Sequence, residues 1–165
     1  MKTVLIPTDF NVGSLTIIDT LVLTNKPETI RIIFLHAFKL SDSITDMLML
    51  SRRSKDYENI SQEFYDQIAH YKQKYPNDIE SIGIEYFYGS TVVAFKNFLE
   101  RIAPSFIAYP KNYNFNPINK YSIDPVHLTN RCGYNVIALD AEEFANAEKL
   151  FETRIPEKAT KILST

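Results

Sequence analysis

The chain of 165 residues has about the length of one domain, since single domains typically comprise ~100–200 residues. Its hydrophobic fraction of 45% and its charged fraction of 23% are ordinary globular values, which excludes a disordered or fibrous chain. The chain carries 18 basic and 20 acidic residues, for a net charge of −2. Because a protein that coats nucleic acid needs a cationic surface, we expect no nucleic-acid partner.

Cysteine usage and hydropathy indicate the compartment. The single cysteine, Cys132, cannot form an internal disulfide or a cysteine-rich zinc site, which favours a reducing environment. No apolar run approaches the ~20 residues that span a bilayer. Met1 and Lys2 lead directly into a strand-like run without the pattern of a cleavable signal. The sequence therefore predicts a single-domain cytoplasmic protein with no membrane partner and no metal site.

The first part of the chain predicts a strand, a helix and a second strand. The apolar run of residues 2–7 is typical of a buried strand, as is the β-branched run of residues 30–35. Asn11 or Ser14 could cap the helix between them. The apolar residues of that helix recur at helical spacing: Leu15, Ile18, Leu21 and Val22. A connection this short implies that the two strands are parallel neighbours.

The rest of the chain continues the alternation. Helical patterns occupy residues 41–75, including an apolar face that ends at Pro76, and strands are expected at 79–88, 106–109 and 135–139. Ser90 is the expected cap of a helix that begins after Gly89, and shorter helices are expected at 126–131 and 142–154. The apolar positions of the long helical region are Ile44, Met47, Leu48, Ile60, Phe64, Ile68, Tyr71 and Tyr75. Five strands separated by helices predict a three-layer α/β sandwich with a parallel sheet.

Several common chemistries lack their residues at the ends of these strands, where ligands of parallel sheets bind. The turn after the first strand has one glycine, Gly13, which excludes a Rossmann dinucleotide site, and neither a P-loop nor a serine-hydrolase elbow is present. Histidines such as His36 lack metal-ligand spacing, and Cys132 is expected to be a buried structural thiol. We therefore expect no catalytic residues.

Four segments follow one another in a recognisable order: residues 4–10 (VLIPTDF), 33–37 (IFLHA), 89–109 and 126–139. Together they resemble the universal stress protein family. The first segment resembles the first strand of that family, and the second resembles its second strand, which commonly ends in Leu-His-Val. Residues 89–109 and 126–139 resemble the third segment and the last helix and strand, so the resemblance covers about residues 2–139. It implies an adenine nucleotide alpha-hydrolase-like, Rossmann-like topology with strand order 3-2-1-4-5. It also places four residues where the family contacts adenine and ribose: Pro7, Thr8, Asp9 and Ala37.

The phosphate-binding motif of that family, Gly-x2-Gly-x9-Gly-Ser/Thr after the fourth strand, is absent. Its four positions fall on Pro110, Tyr113, Ile123 and Asp124. Proline removes an N–H donor, tyrosine fills space that a phosphate needs, and an aspartate repels the anion. We therefore expect a degenerate phosphate loop and no cofactor, with ATP and AMP disfavoured.

Two roles remain open for the polar residues near this loop. Asp9 either caps the following helix or a nearby loop, or contacts a ligand. The asparagine- and tyrosine-rich loop either lines a different pocket or folds down over the sheet; its amide and aromatic residues are Asn112, Tyr113, Asn114, Phe115, Asn116 and Asn119.

The resemblance implies a non-catalytic binding or regulatory module of the stress response that does not depend on ATP. An alternative is a weakly hydrolysing ATP-binding member in which Lys111 and Lys120 neutralise phosphate. A nucleotide-using enzyme of the related superfamily is less favoured, because its Ser-Gly-Gly-x-Asp-Ser and His-x-Gly-His motifs are missing. An unidentified protein partner or small ligand would be the binding target.

The last strand predicts a homodimer. Five uncharged residues that include no proline form this strand, which is expected at a sheet edge where unpaired backbone groups invite a second copy: Asn135, Val136, Ile137, Ala138 and Leu139. We expect residues 1–140 to form the α/β domain and residues 141–165 to form a helical extension on the same domain or on the dimer. That extension could instead cover the edge and leave a monomer.

Overall fold

The structure, a computed structural model, describes residues 1–39, 60–118 and 121–140. Three groups of predictions lie outside this part of the chain. They are the apolar patch with Ile44, Met47 and Leu48, the side chains of Asn119 and Lys120, and the extension of residues 141–165 with its helix at 142–154.

A parallel sheet is the frame of the molecule. Its strands along the chain are β1 (Lys2–Pro7), β2 (Ile30–Phe38), β3 (Ile79–Tyr88), β4 (Phe106–Pro110), β5 (Ser122–Ile123) and β6 (Val136–Leu139). The parallel strands have the order β3-β2-β1-β4-β6, and the two-residue strand β5 pairs antiparallel with the end of β2. Since β6 is the fifth of the parallel strands, the predicted order 3-2-1-4-5 and the α/β fold class are confirmed.

Four α-helices connect these strands in the described part of the chain: α1 (Ile18–Asn25), α2 (Gln62–Lys74), α3 (Val92–Ile102) and α4 (Pro125–Thr129). Side chains of Ser61 and Thr91 cap α2 and α3, each accepting a hydrogen bond of 3.2 Å from a backbone N–H of the first turn. Asp124 caps α4 in the same way, at 3.0 Å from Val126 N. None of these helices is long and apolar enough to cross a bilayer.

The predicted helix caps were wrong at two positions. A 3-10 turn (Val12–Leu15) precedes α1, so the residue before that helix is Ile17, which makes no side-chain cap bond. The Asn11 side chain donates to Asp9, and the Ser14 hydroxyl donates to the Asn11 carbonyl. Before α3 the cap is Thr91, one residue after the predicted Ser90.

The core lies on both faces of the sheet, because successive side chains of a strand point to opposite faces. Phe34 of β2 and Phe64 of α2 pack edge to face on one side, with ring centroids 5.3 Å apart. Leu35 and Leu99 belong to the cluster on the other side, which α3 covers. Complete burial of such side chains contributes roughly 1.5–3 kcal/mol each to stability. The central strands β1 and β2 are thereby held rigidly, and their carboxyl ends present the groups described next.

Candidate functional site

The carboxyl ends of β1, β2 and β4 form a crevice where the order of strands reverses, since β2 lies on one side of β1 and β4 on the other. In open α/β sheets this is where ligands bind. The chain after β4 folds back over this crevice. We call its described residues, 111–118 and 121–124, the covering segment.

Asp9 fastens the covering segment to the end of β1. Its Oδ2 accepts hydrogen bonds from Asn116 N at 3.0 Å and from Asn116 Nδ2 at 3.4 Å. It also accepts from Asn11 Nδ2 at 3.0 Å, while Oδ1 accepts from Asn11 N at 3.0 Å. The Asp9 side chain therefore holds two loops together, in agreement with the capping role that the sequence left open.

Thr8 and Phe10 shape the turn on either side of Asp9. The fully buried Thr8 hydroxyl lies 2.7 Å from the Ser14 hydroxyl and accepts from Phe10 N at 2.9 Å. Phe10 has a left-handed φ of 64°, which costs a non-glycine residue ~1–2 kcal/mol. Its ring offsets this cost by packing edge to face against Phe64 and Tyr86. The turn is thus locked by burial on one side and by hydroxyl pairing on the other.

His36 links β1 to the covering segment. Its Nδ1 donates to the Thr8 carbonyl at 2.7 Å, because a carbonyl can only accept, and its Nε2 lies 3.0 Å from the Ser122 hydroxyl oxygen. That hydroxyl in turn accepts from Ile118 N at 3.0 Å. The Phe115 ring stacks on the His36 ring at 5.7 Å with an interplanar angle of 20°. A buried histidine and an aromatic ring therefore hold the covering segment over the end of β2.

The end of β2 itself is paired with β5. Ala37 and Phe38 lie opposite Ile123 and Ser122 in the antiparallel register, and Lys39 N donates to the Tyr121 carbonyl at 2.9 Å. Ala37 is completely buried. Ala37, one of the four positions that the resemblance assigns to adenine and ribose contacts, is consequently paired with the chain's own backbone.

The four positions of the family's phosphate motif are engaged inside the protein. Pro110 belongs to β4 and has no N–H, and its carbonyl accepts from Tyr113 N at 3.0 Å. The Tyr113 hydroxyl donates to Asp124 Oδ1 at 3.1 Å, and Ile123 lies in β5. Burial, followed by the Asp124 carboxylate, raises the pKa of Tyr113 above its usual value, so its phenol stays protonated. A tyrosine–aspartate pair thus lies among the motif positions.

A pocket of about 360 Å³ remains open beside the covering segment. It lies between the turn after β1 and the loop after β4. Its lining is rich in amide and hydroxyl groups and consists of Asp9, Asn11, Gly13, Ser14, Thr16, Pro110, Asn112, Tyr113, Asn114 and Asn116.

Comparison with known proteins finds similarity in solved structures. No family model matches the chain, and no curated protein sequence matches it. The structure of hypothetical protein PH0823 has a TM-score of 0.52 at 19% identity, over 84% of this chain and 95% of that chain. Hypothetical protein MJ0577, the subject of a structure-based assignment of biochemical function, has a TM-score of 0.53 at 12% identity over the same shares.

The chain has the fold of these two proteins. A universal stress protein in complex with cAMP also matches, with a TM-score of 0.45 at 13% identity over 85% of this chain and 97% of that chain. The matches to PH0823 and MJ0577, together with the strand order, confirm the α/β fold that the resemblance implies.

The other candidate residues make contacts within the protein or lie at its surface. Cys132 is buried, and its thiol donates to the Thr129 carbonyl at 3.0 Å. His127 is exposed at the end of α4, and His70 packs against Tyr71. Within residues 1–39, 60–118 and 121–140, no three His, Cys, Asp or Glu side chains come close enough to share a metal ion.

The predicted edge strand is present and slightly shorter than expected. Val136 to Leu139 pair in parallel with Ile107 to Pro110, while Asn135 precedes the strand and accepts from Ile107 N through its carbonyl. In the part of the chain that the structure describes, no strand pairs with the other side of β6. This leaves the outer backbone groups of β6 as the edge from which the sequence predicts a dimer.

Strand β5 is the part of the site that the sequence pattern does not predict. Its two residues, Ser122 and Ile123, are too few to show an alternating pattern. The available signal was the pair of polar and apolar residues just before the Asp124-Pro125 helix start, which is weak by itself. Ser122 is the residue whose hydroxyl connects this strand to His36.

Proposed function

We propose that the protein is a non-catalytic binding module of the universal stress protein type, which acts in the cytoplasmic stress response without depending on ATP. The observation that carries this proposal is that the chain occupies its own crevice. Asp9 and Ala37 are two of the positions that contact adenine and ribose by resemblance; Asn116 donates to the Asp9 carboxylate, and Ile123 pairs with Ala37.

A nucleotide would have to break these contacts before it could bind. Giving up the hydrogen bonds of Asn116 to the Asp9 carboxylate costs ~1.5–3 kcal/mol, which weakens a dissociation constant by roughly 10- to 150-fold. The phosphates would then meet Pro110, which has no N–H to donate, and the Asp124 carboxylate, which repels them. Both contributions act against the binding of ATP.

Thermal unfolding with and without ATP and magnesium tests this proposal. A ligand at 100 times its dissociation constant stabilises a protein by ~2.7 kcal/mol, which raises Tm by roughly 5–11 °C for a chain of this length. We expect no saturable rise. A saturable rise, or ATP that stays with the protein through purification, contradicts the proposal and favours the alternative in which Lys111 and Lys120 neutralise phosphate.

A loop variant sharpens the test. Replacing Pro110 and Tyr113 together by glycine restores two positions of the family motif but leaves Ile123 in β5 and the Asp124 carboxylate in place. We expect this double variant to remain without tight ATP binding. Tight binding by the variant would show that these two residues alone exclude the nucleotide, and that the covering segment does not.

We further propose that the module is a homodimer joined through β6. An edge strand with uncharged residues and no proline favours pairing with its copy about a two-fold axis. Sedimentation at micromolar concentration is expected to give twice the chain mass, and Ile137→Lys is expected to split the dimer. A species of single-chain mass for the unaltered protein would refute the dimer without touching the proposal on ATP.

A further inference from the structure

The pocket beside the covering segment has the size and position of a ligand site. Its volume of about 360 Å³ falls in the range of ~300–1,000 Å³ that small-molecule sites occupy. It opens between the turn after β1 and the loop after β4, where the strand order reverses. The covering segment forms one of its walls and leaves it open.

The charge of the lining disfavours ionic ligands. No Lys or Arg lines the pocket among the described residues, and the one carboxylate in its wall belongs to Asp9. An anion would therefore meet a negative group without a counter-charge. A cation gains little either, because a carboxylate offers about four lone-pair sites and Asp9 already accepts four hydrogen bonds from Asn11 and Asn116.

The lining still has hydrogen-bonding groups to offer a neutral ligand. Asn112 and Asn114 are exposed, and their side-chain amides make no hydrogen bond to the described residues of the chain. Each amide presents two N–H donors and one carbonyl acceptor. The Thr16 hydroxyl donates to the Gly13 carbonyl at 2.7 Å and keeps its lone pairs for accepting. Donors and acceptors interleaved in this way match hydroxyl groups, which both donate and accept.

Tyr113 adds a flat apolar surface to this polar lining. Its hydroxyl is already engaged with Asp124, so the ring is held in place and half-buried at the pocket. A ring held by its own hydroxyl is a pre-organised surface for the C–H face of a small cyclic molecule.

We propose that this pocket binds a small uncharged molecule with several hydroxyl groups, of the size of a monosaccharide or cyclitol, through the Asn112 and Asn114 amides and the Tyr113 ring. This inference rests on the proposed function, since it supplies the ligand class of a module that does not use ATP.

Titrations followed by the side-chain amide NMR signals of 15N-labelled protein test this inference. The probes are D-glucose, D-galactose, D-ribose and myo-inositol, each up to about 10 mM, a range that detects a millimolar dissociation constant. We expect a saturable shift of the Asn112 and Asn114 signals with at least one probe, and at least tenfold weaker binding of its monophosphate. The absence of saturable shifts with all four probes, or equal binding of the phosphorylated form, overturns the inference.

Matched alanine variants locate the site. Asn112→Ala and Asn114→Ala each remove about one neutral hydrogen bond, so each should weaken binding of the probe by about two- to twelvefold. Asn77→Ala is the control, because Asn77 is an exposed asparagine just before the amino end of the edge strand β3, whereas the pocket lies at the carboxyl ends of β1 and β4. Equal effects of all three variants would place the probe elsewhere and overturn the inference.

The same titration with ATP and magnesium separates the two proposals. If neither ATP nor a neutral probe binds, the inference on the pocket fails while the proposed independence from ATP stands. If ATP binds in a saturable way, the proposed function fails, and with it the inference that depends on it.

Discussion

Replacement of Asp9 by asparagine tests how firmly the covering segment is held. The side chain keeps its shape but loses its charge, and one oxygen becomes an NH2 group. If the remaining oxygen takes the place of Oδ2, the new NH2 group faces the backbone N–H of Asn11. If the oxygen takes the place of Oδ1, the NH2 group faces three donors, which are Asn11 Nδ2 and the N and Nδ2 atoms of Asn116. In either orientation at least one charge-assisted hydrogen bond is lost, which costs about 1.5–3 kcal/mol.

This cost predicts a measurable change in Tm. At ~2.1 cal/mol/K per residue, 165 residues have an unfolding entropy of about 0.35 kcal/mol/K, so Asp9→Asn should lower Tm by about 4–9 °C. Differential scanning calorimetry measures this directly. The matched control is Asp66→Asn, since Asp66 is exposed on α2 and accepts one hydrogen bond, from Gln62, worth ~0.2–0.5 kcal/mol.

The control should lower Tm by at most about 1–2 °C. If Asp9→Asn lowers Tm no more than Asp66→Asn does, the four hydrogen bonds of Asp9 do not hold the two loops together, and the reasoning about the occupied crevice fails. Backbone amide exchange of residues 115–118 gives a second measurement, because a released covering segment exchanges faster while the strands of the sheet stay protected.

Three further predictions concern stability. In urea titration, Gly89→Ala should lower the free energy of unfolding by about 1–3 kcal/mol, because the new Cβ would lie 2.9 Å from Cζ of the buried Phe87. Gly13→Ala should raise it by ~0.4–1 kcal/mol, because its Cβ would meet no atom of the described chain within 4 Å. Equal effects of the two substitutions would contradict this packing argument. Thr20→Val should raise the free energy of unfolding by about 1 kcal/mol, because the buried Thr20 hydroxyl has no hydrogen-bond partner in the described part of the chain. A loss of stability in this variant would refute the prediction. Burial and the nearby Asp19 carboxylate raise the pKa of Tyr71 to about 12. The phenol therefore ionises in the unfolded chain at a lower pH, ~10, than in the folded protein. The free energy of unfolding should fall as pH rises from ~10 towards 12. Tyr71→Phe should therefore lose less stability than the unaltered protein between about pH 9 and pH 11, measured by the urea midpoint at each pH, and equal losses would count against it.

The sequence was sufficient for the fold because the signals of its elements are local. The runs of residues 2–7 and 79–88 become β1 and β3 with the predicted bounds. Each is a stretch of apolar or alternating residues bounded by a proline, a glycine or a polar pair, and such a pattern depends on neighbours in the chain. The apolar face with Phe64 and Ile68 likewise predicts α2. Strand order followed from the resemblance of segments to a known family.

Boundaries were less well predicted where a partner in space extends an element. β2 continues to Phe38, three residues beyond the predicted end, because Tyr88 of β3 pairs with Phe38 on one side and Ser122 of β5 pairs with it on the other. The cap of α1 was wrong for a related reason, since the Asn11 side chain donates to Asp9 before the helix begins.

The contacts that fill part of the crevice were decided by tertiary structure. The sequence by itself placed Asp9 after a buried strand and Ala37 just after the run of residues 30–35, and it showed that the family's glycines are missing after β4. It left open whether Asp9 caps a loop or contacts a ligand, because Asp9 and its partner Asn116 are 107 residues apart. Such a contact depends on the register of the sheet and on the path of a loop, and neither has a local signal in the chain. Only the folded chain brings Asn116 to Asp9 and Ile123 to Ala37, and so closes one part of the crevice while leaving the amide-lined pocket open.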